Sequence, residues 1–262
     1  MTQPGAVSAL EAVQAWRSFA EGLKVSSASG SLLSWTAYLK RYPQGRGDER
    51  TTVGPTVFPV FAQSVLGFEV GQSLAAEVSG PEGRPDFTPA DAVTHPYVFE
   101  VKGTDGGVAL QGHESQVSRY LREGRPRITR VVLTNLRGLR VFRLAEDGQA
   151  AKSVLDVNLY VLAVLPTAEQ AAATADGQRL AQFINDHRFQ TLTLDQKIDR
   201  VRKAHPWIPG FEVTSTGWVL SRLDSVVQAL HADVASQVAA GALVDTSRVP
   251  LTDRPLLAPA FQ

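Results

Sequence analysis

The sequence predicts a mixed α/β protein, and three observations carry that expectation. Near the start, Leu10, Val13, Trp16, Ala20 and Leu23 recur at three- and four-residue spacing, the pattern of an amphipathic helix. From residue 68 to about 164 the pattern changes to short apolar runs bounded by Gly and Pro, interrupted by one helical stretch at about 112–123. After Leu165 helical spacing returns.

Each element has its own signal. Residues 1–44 form an N-terminal helical segment, in which SSASGS separates the first helix from a second apolar set, Leu32, Leu33, Trp35, Tyr38 and Leu39. The polar stretch PQGRGDER follows. Val57, Val60, Phe61, Ser64 and Val65 then predict a helix over about 55–66, with Pro55 or Pro59 close to its start and Gly67 as its stop. Strands are expected at roughly 69–78, 84–88, 96–102, 129–136, 139–144 and 157–164, making 45–165 a mixed α/β core flanked by helices. The loop Gly103-Thr104-Asp105-Gly106-Gly107 reads as a flexible turn before the 112–123 helix. Residues 166–262 form a C-terminal helical segment, with helices at about 167–187, 194–203 and 216–240. In the last of these, Trp218, Leu223, Val226, Leu230 and Val234 make one stripe. Pro250, Pro255 and Pro259 mark the end as a strap or a linker.

Composition removes several function classes. At 262 residues, 44% hydrophobic and 20% charged, the chain has the make-up of one or two globular domains rather than of a disordered or fibrous protein. No apolar run reaches a membrane span and the first residues lack a secretion signal, so the expected location is the cytoplasm, without membrane association. Without cysteine there is no disulfide, zinc-thiolate site, iron–sulfur cluster or thiol nucleophile. His95, His113, His187, His205 and His231 show no metal-ligand spacing, and neither a phosphate-binding G-x-x-x-x-G-K-[ST] loop nor a G-x-S-x-G elbow occurs. Net charge is zero, yet between Gln116 and Arg143 eight arginines face a single acid, Glu123, a local excess of +7. Such a stretch suits a polyanion, or is a solvated face.

One constellation carries chemistry. Asp86 is separated by thirteen residues from Glu100-Val101-Lys102, which closes the apolar run Tyr97-Val98-Phe99. Side chains alternate along a strand, so Glu100 and Lys102 share one face. A preceding strand ending at Asp86 and paired as a hairpin would bring its carboxylate beside Glu100. Two carboxylates with waters suit Mg²⁺, while the lysine orients a water and offsets charge on a phosphoryl group. Downstream, Gln116 and Tyr120 lie one helical turn apart and reach back over the strand ends.

This set, Asp86, Glu100-Val101-Lys102 and Gln116-Val117-Ser118-Arg119-Tyr120, resembles the PD-(D/E)xK nuclease superfamily in its branch with a QxxxY helix. In particular it is similar to the N-terminal nuclease domain of type I, type IIG and type ISP restriction-modification enzymes. Val131-Val132-Leu133-Thr134-Asn135 and Leu139-Arg140-Val141-Phe142 look like the strand pair that closes the sheet in those domains, and the resemblance covers about 45–145. It implies a restriction-endonuclease-like fold and Mg²⁺-dependent DNA cleavage, with Mn²⁺ as a substitute, by direct water attack leaving 5′-phosphate and 3′-hydroxyl ends. Asp86, Glu100 and the Val101 carbonyl would hold the metal and Lys102 would position the water, with Gln116 and Tyr120 in support. An acid ahead of the first strand completes such sites, and Glu49 is the candidate by position, with Asp48 the alternative. Arg119 and Arg122 are the candidate DNA contacts.

The resemblance also implies a place in restriction-modification or phage defence, with a methyltransferase, translocase or specificity region as partner. This chain carries neither a P-loop nor an Asn-Pro-Pro methyltransferase signature, so it reads as a nuclease module, either a truncated piece or a separate subunit, with 249–262 as linker. Two rivals stay open. One is a catalytically weak DNA- or partner-binding module of the same fold; the other is a structural role in which the helices form an oligomer interface.

Overall fold

The computed structural model describes residues 5–199 apart from 47, 77–84, 124–127, 146, 147, 149 and 198. The expected helix at 216–240, the Pro-rich end, half of 194–203, and Arg84, Arg125 and Arg127 lie outside the described residues. The chain divides into a unit over Met1–Thr191 and a second over Leu192–Gln262. All that follows concerns the first.

Helix α1 (Ala9–Gly22) starts at a reciprocal cap in which Ser8 and Glu11 satisfy each other's backbone N–H groups. It buries Val13, Trp16 and Ala20 of the expected stripe, with Phe19 added, whereas Leu10 is exposed. A small antiparallel hairpin, β1 (Lys24–Ser26) and β2 (Leu32–Ser34), turns through the SSASGS break, and Ser34 then caps α2 (Trp35–Arg41). The expected 55–66 helix has two parts. A π-helix over Glu49–Val57 contains Pro55 in its interior, and α3 (Phe58–Ser64) begins with Pro59 in its first turn. Gly67, at φ +76°, ends it as expected.

The main sheet has six strands in the order β3 (Leu74–Ala76), β4 (Phe87–Pro89), β5 (Tyr97–Val101), β6 (Arg130–Thr134), β7 (Gly138–Leu144) and β8 (Ala151–Asn158). Every neighbouring pair is antiparallel except β5 and β6, which run parallel. A parallel pair needs a crossover, and α4 (Glu114–Glu123) supplies it. Alternation along the central strands splits the core into two layers. Phe99, Val101, Val132 and Val141 join α1, α2 and α3 on one side, while Val98, Val131, Leu133 and Phe142 meet Val117, Tyr120 and Leu121 of α4 on the other.

Two expected strands differ. Among the described residues of 69–78, only Leu74–Ala76 is paired in the main sheet. The run 157–164 is mostly the short helix α5 (Leu159–Val164), because the Asn158 side chain accepts the Val161 N–H and caps it; the last strand lies earlier, at β8. The expected helix at 167–187 is divided into α6 (Ala168–Ala172) and α7 (Ala175–His187) at Thr174, whose hydroxyl caps α7.

The expected boundaries at 44/45 and 165/166 do not separate compact units. Trp16 Nε1 donates to the Leu159 carbonyl and Trp35 Nε1 to that of Leu136, and residues of α1–α3 and α5–α7 share one core. Among the described residues no helix is long and apolar enough to cross a membrane.

Candidate active site

Strand β5 is buried along its whole length, which makes Glu100 an acid in the interior, 2% exposed. Its even-numbered neighbour Val98 packs under α4, so Glu100 and Lys102 point to that side, as the alternation requires. Lys102 Nζ donates to Glu100 Oε1 at 2.6 Å, and Gln116 Nε2 from α4 donates to the same oxygen at 2.7 Å. Gln116 also donates to the Tyr120 hydroxyl at 3.0 Å. One helical turn of α4 thus ties itself to the end of β5.

Asp86 does not end a strand; it stands just before β4. The antiparallel register Phe87 to Phe99 nevertheless carries it to the end of β5, where its Oδ2 accepts the Val101 N–H at 2.7 Å. Glu49 reaches the same corner from the first turn of the π-helix, with Oε1 3.9 Å from Lys102 Nζ. Asp86, Glu100, Lys102, Glu49, Gln116 and Tyr120, drawn from four separate segments, are therefore gathered in one place.

Asp48 is not part of this group. Its buried carboxylate accepts the Tyr38 hydroxyl at 2.5 Å, the Thr104 N–H at 2.8 Å and the Thr104 hydroxyl at 3.1 Å. It clamps the start of the π-helix to the loop after Lys102. Gly45, at φ +75°, allows the close approach, since a Cβ there would overlap the Thr104 carbonyl. From the other side Asn135 Nδ2 donates to the carbonyls of Gly107, at 2.7 Å, and Gly103, at 3.3 Å. The loop expected to be a flexible turn is thus tied down at both ends, with Thr104 fully buried. Asp48 and Asn135 fix the loop that follows Lys102. The sequence marks Asp48 only as the alternative to Glu49 and Asn135 only as the end of a strand, and neither mark carries the loop contacts seen here.

The charges act on one another. Burial first, then the neighbouring Glu100 carboxylate, raise the Asp86 carboxyl from its ordinary 3.8 to about 6, against the Val101 N–H and Lys102, which favour its ionised form. Burial works to lower Lys102, but Glu100, Glu49 and Asp86 together outweigh it and hold the ammonium above the usual lysine value. Tyr120 is pushed up to about 12 by burial and then by Glu100, so its hydroxyl stays protonated.

The chain matches no family model, no curated protein and no solved structure.

One atom bears on a metal. Glu100 Oε2 is buried and has no hydrogen-bond partner, an acceptor that a cation would satisfy. Asp86 stands close enough to Glu100 for that charge to raise its carboxyl, and adds the hard oxygen donors that Mg²⁺ prefers. Among the described residues no group of three or more His, Asp or Glu side chains forms a cage by itself, so the fit is that of two carboxylates completed by main-chain and water oxygens.

The arginine-rich stretch divides. Arg119 and Arg122 are exposed on α4, with the Arg119 guanidinium 5.9 Å from the centre of the Tyr120 ring. Arg137 is only 4% exposed and donates to the carbonyls of Tyr42 and Pro43 at 2.7 and 2.8 Å. Arg140 is committed to Asp156 at 2.6 Å, and Arg130 lies 3.6 Å from Asp186. The excess of +7 is accordingly not a free surface charge: three of the arginines hold the fold or acidic partners.

Proposed function

We propose that this chain is a metal-dependent DNA endonuclease module with a restriction-endonuclease-like core. The observation that supports this reading best is the gathering of Asp86, Glu100 and Lys102 at one corner of the sheet, with Gln116 bridging Glu100 to Tyr120. Mg²⁺, or Mn²⁺ in its place, held by Asp86, Glu100 and the Val101 carbonyl with Glu49 alongside, would supply Lewis acidity toward a phosphoryl oxygen and toward water.

The residues of the chain do the rest. Lys102 carries a full positive charge at neutral pH, so it orients a water by donating to it and offsets the charge that grows on the phosphoryl oxygens. When Lys102 turns from Glu100 toward that water, the Gln116 amide remains on Glu100 Oε1 and keeps the carboxylate in place. Tyr120, protonated, anchors Gln116. Arg119 and Arg122 meet the phosphates on either side of the scissile bond. A polymer lies along a surface, so the reaction needs no enclosed pocket.

The natural partners are DNA and a methyltransferase, translocase or specificity region, in restriction-modification or phage defence. The test is conversion of supercoiled plasmid to nicked or linear DNA in Mg²⁺ or Mn²⁺, with EDTA and Lys102→Ala as controls. Cutting that requires both the metal and Lys102 supports the reading. DNA binding without cutting by folded protein supports instead the catalytically weak binding module, which the exposed Arg119 and Arg122 would serve equally well.

A further inference from the structure

The connection between α2 and the π-helix carries a further cation, Arg46, and main-chain bonds place it on the rim of the corner. Its N–H donates to the Thr104 hydroxyl at 2.9 Å, and its carbonyl accepts the N–H groups of Asp48 at 2.9 Å and of Asp105 at 3.0 Å. The same carbonyl lies against Gly103, where a Cβ would stand 3.1 Å from it. Residue 46 is thus fastened both to the loop that directly follows Lys102 and to the residue that precedes Glu49.

The side chain is held as well. The Arg46 guanidinium lies 4.9 Å from the centre of the Tyr42 ring. That ring is itself fixed: the Tyr42 hydroxyl accepts the Ala28 N–H at 3.0 Å, the Tyr42 carbonyl accepts from Arg137 at 2.7 Å, and the ring packs at 4.9 Å from that of Tyr38. The acids of this rim are engaged elsewhere. Asp48 is taken up by Tyr38 and Thr104, Glu49 approaches Lys102, and Asp105 Oδ1 lies where a side chain on Gly103 would be. Among the described residues no carboxylate pairs with Arg46. A guanidinium has five N–H donors, more than one phenol can take up. None of the Arg46 nitrogens is both buried and unpartnered, and the residue is partly exposed, so the remaining donors face water.

A planar cation with one face on a ring and free N–H groups matches the oxygens of a phosphate, and the stacking leaves less side-chain freedom to lose on binding. We infer that Arg46 is a phosphate-binding residue, which grips the sugar–phosphate backbone of the DNA strand that passes Lys102. The inference rests on the nuclease reading above. It adds an anchor on the α2 to π-helix connection, a different element from the α4 helix that carries Arg119 and Arg122.

The test uses the whole chain. Binding to a fluorescent DNA duplex is measured by anisotropy in EDTA across a salt series, and cleavage is measured separately in Mg²⁺. Arg46→Ala keeps the main-chain bonds and is expected to bind about tenfold more weakly, with the slope of log affinity against log salt reduced by about 0.9, the share of one phosphate. Arg46→Lys keeps the charge and the slope but loses the fork and the stack, and is expected to bind about threefold more weakly at every salt concentration. Arg179→Ala, at an exposed position on α7, removes the same charge and is expected to change neither quantity. The inference is overturned if Arg46→Ala keeps the wild-type slope, if Arg179→Ala lowers the slope equally, or if the wild-type chain binds no DNA. Binding without cutting, with the slope reduced in Arg46→Ala, removes the nuclease reading and upholds the phosphate contact. Cutting that Arg46→Ala leaves unchanged, with an unchanged slope, does the reverse.

Discussion

Lys102 and Glu100, two residues apart on one strand, meet at 2.6 Å with their side chains 13% and 3% exposed. The lysine neutralises a buried carboxylate that would otherwise be costly to keep ionised. Removing the lysine therefore touches both chemistry and folding. Lys102→Ala is expected to lower plasmid cleavage by about 10²–10⁴-fold. It should also lower stability by about 3 kcal/mol in metal-free protein, with Mg²⁺ recovering part of that loss. Single-turnover cleavage and urea melts with and without metal separate the two effects.

Acidity gives a second expectation. Asp86 is raised from 3.8 to about 6 in the folded protein, so it favours the proton-bound state. Its contribution to the stability of the metal-free protein is full below pH 3.8 and is lost as pH rises through about 6. Metal binding competes with that proton. Mg²⁺ or Mn²⁺ affinity should fall about tenfold per pH unit below the Asp86 pKa and level off above it. Calorimetric titration between acid and neutral pH measures this, and Asp86→Asn should flatten the dependence.

Neighbouring acids are expected to behave oppositely. Asp48→Asn disturbs a buried carboxylate with three donors and should cost about 2–4 kcal/mol in a thermal or urea melt. Glu49→Gln, at a side chain 39% exposed, should change stability by under about 0.5 kcal/mol while raising the metal concentration needed for half-maximal cleavage. If Asp48→Asn alone raised that concentration in a fully stable protein, Asp48 would be the ligand instead.

The helix–strand tie can be graded. Gln116→Ala removes a donor from Glu100 and from Tyr120 at once, whereas Tyr120→Phe removes only the hydroxyl. Cleavage is expected to fall by about tenfold or more for the first and less for the second, each with about 1 kcal/mol lost in stability.

The divided arginines make an ionic-strength prediction. Arg119→Ala with Arg122→Ala should reduce the salt slope of DNA binding by about two without altering the melting curve. Arg137→Ala should do the reverse, costing about 2–3 kcal/mol of stability as it frees the Tyr42 and Pro43 carbonyls.

Much of this architecture was legible. The helix stripe of Trp16 and Phe19's neighbours, the strand Tyr97–Val101, the helix bearing Gln116 and the strand pair after it stand where periodicity placed them, because each has a long or fully buried face. The errors came where local pattern is ambiguous. Leu159–Val164 is as apolar as a strand, and only the Asn158 cap makes it a helix. β8 has one well-buried half, so its alternation is faint. At the site, the face shared by Glu100 and Lys102 followed from strand geometry, whereas the arrival of Glu49 rather than Asp48 depends on tertiary bonds to Tyr38 and Thr104. Burial of Arg137 was likewise invisible in a charge count.

The π-helix sets the angular phase of Glu49. Val53 and Phe58 each bond five residues back, to Asp48 and Val53, so the segment holds more residues per turn than the α-helix that continues it. A one-residue deletion between Arg50 and Val57 would let α-helical winding resume and would swing Glu49 by about 100° around the axis, away from Lys102. In this stretch length is under tighter constraint than identity: many substitutions are tolerable, but an indel of a single codon would disarm the corner without touching any of its side chains.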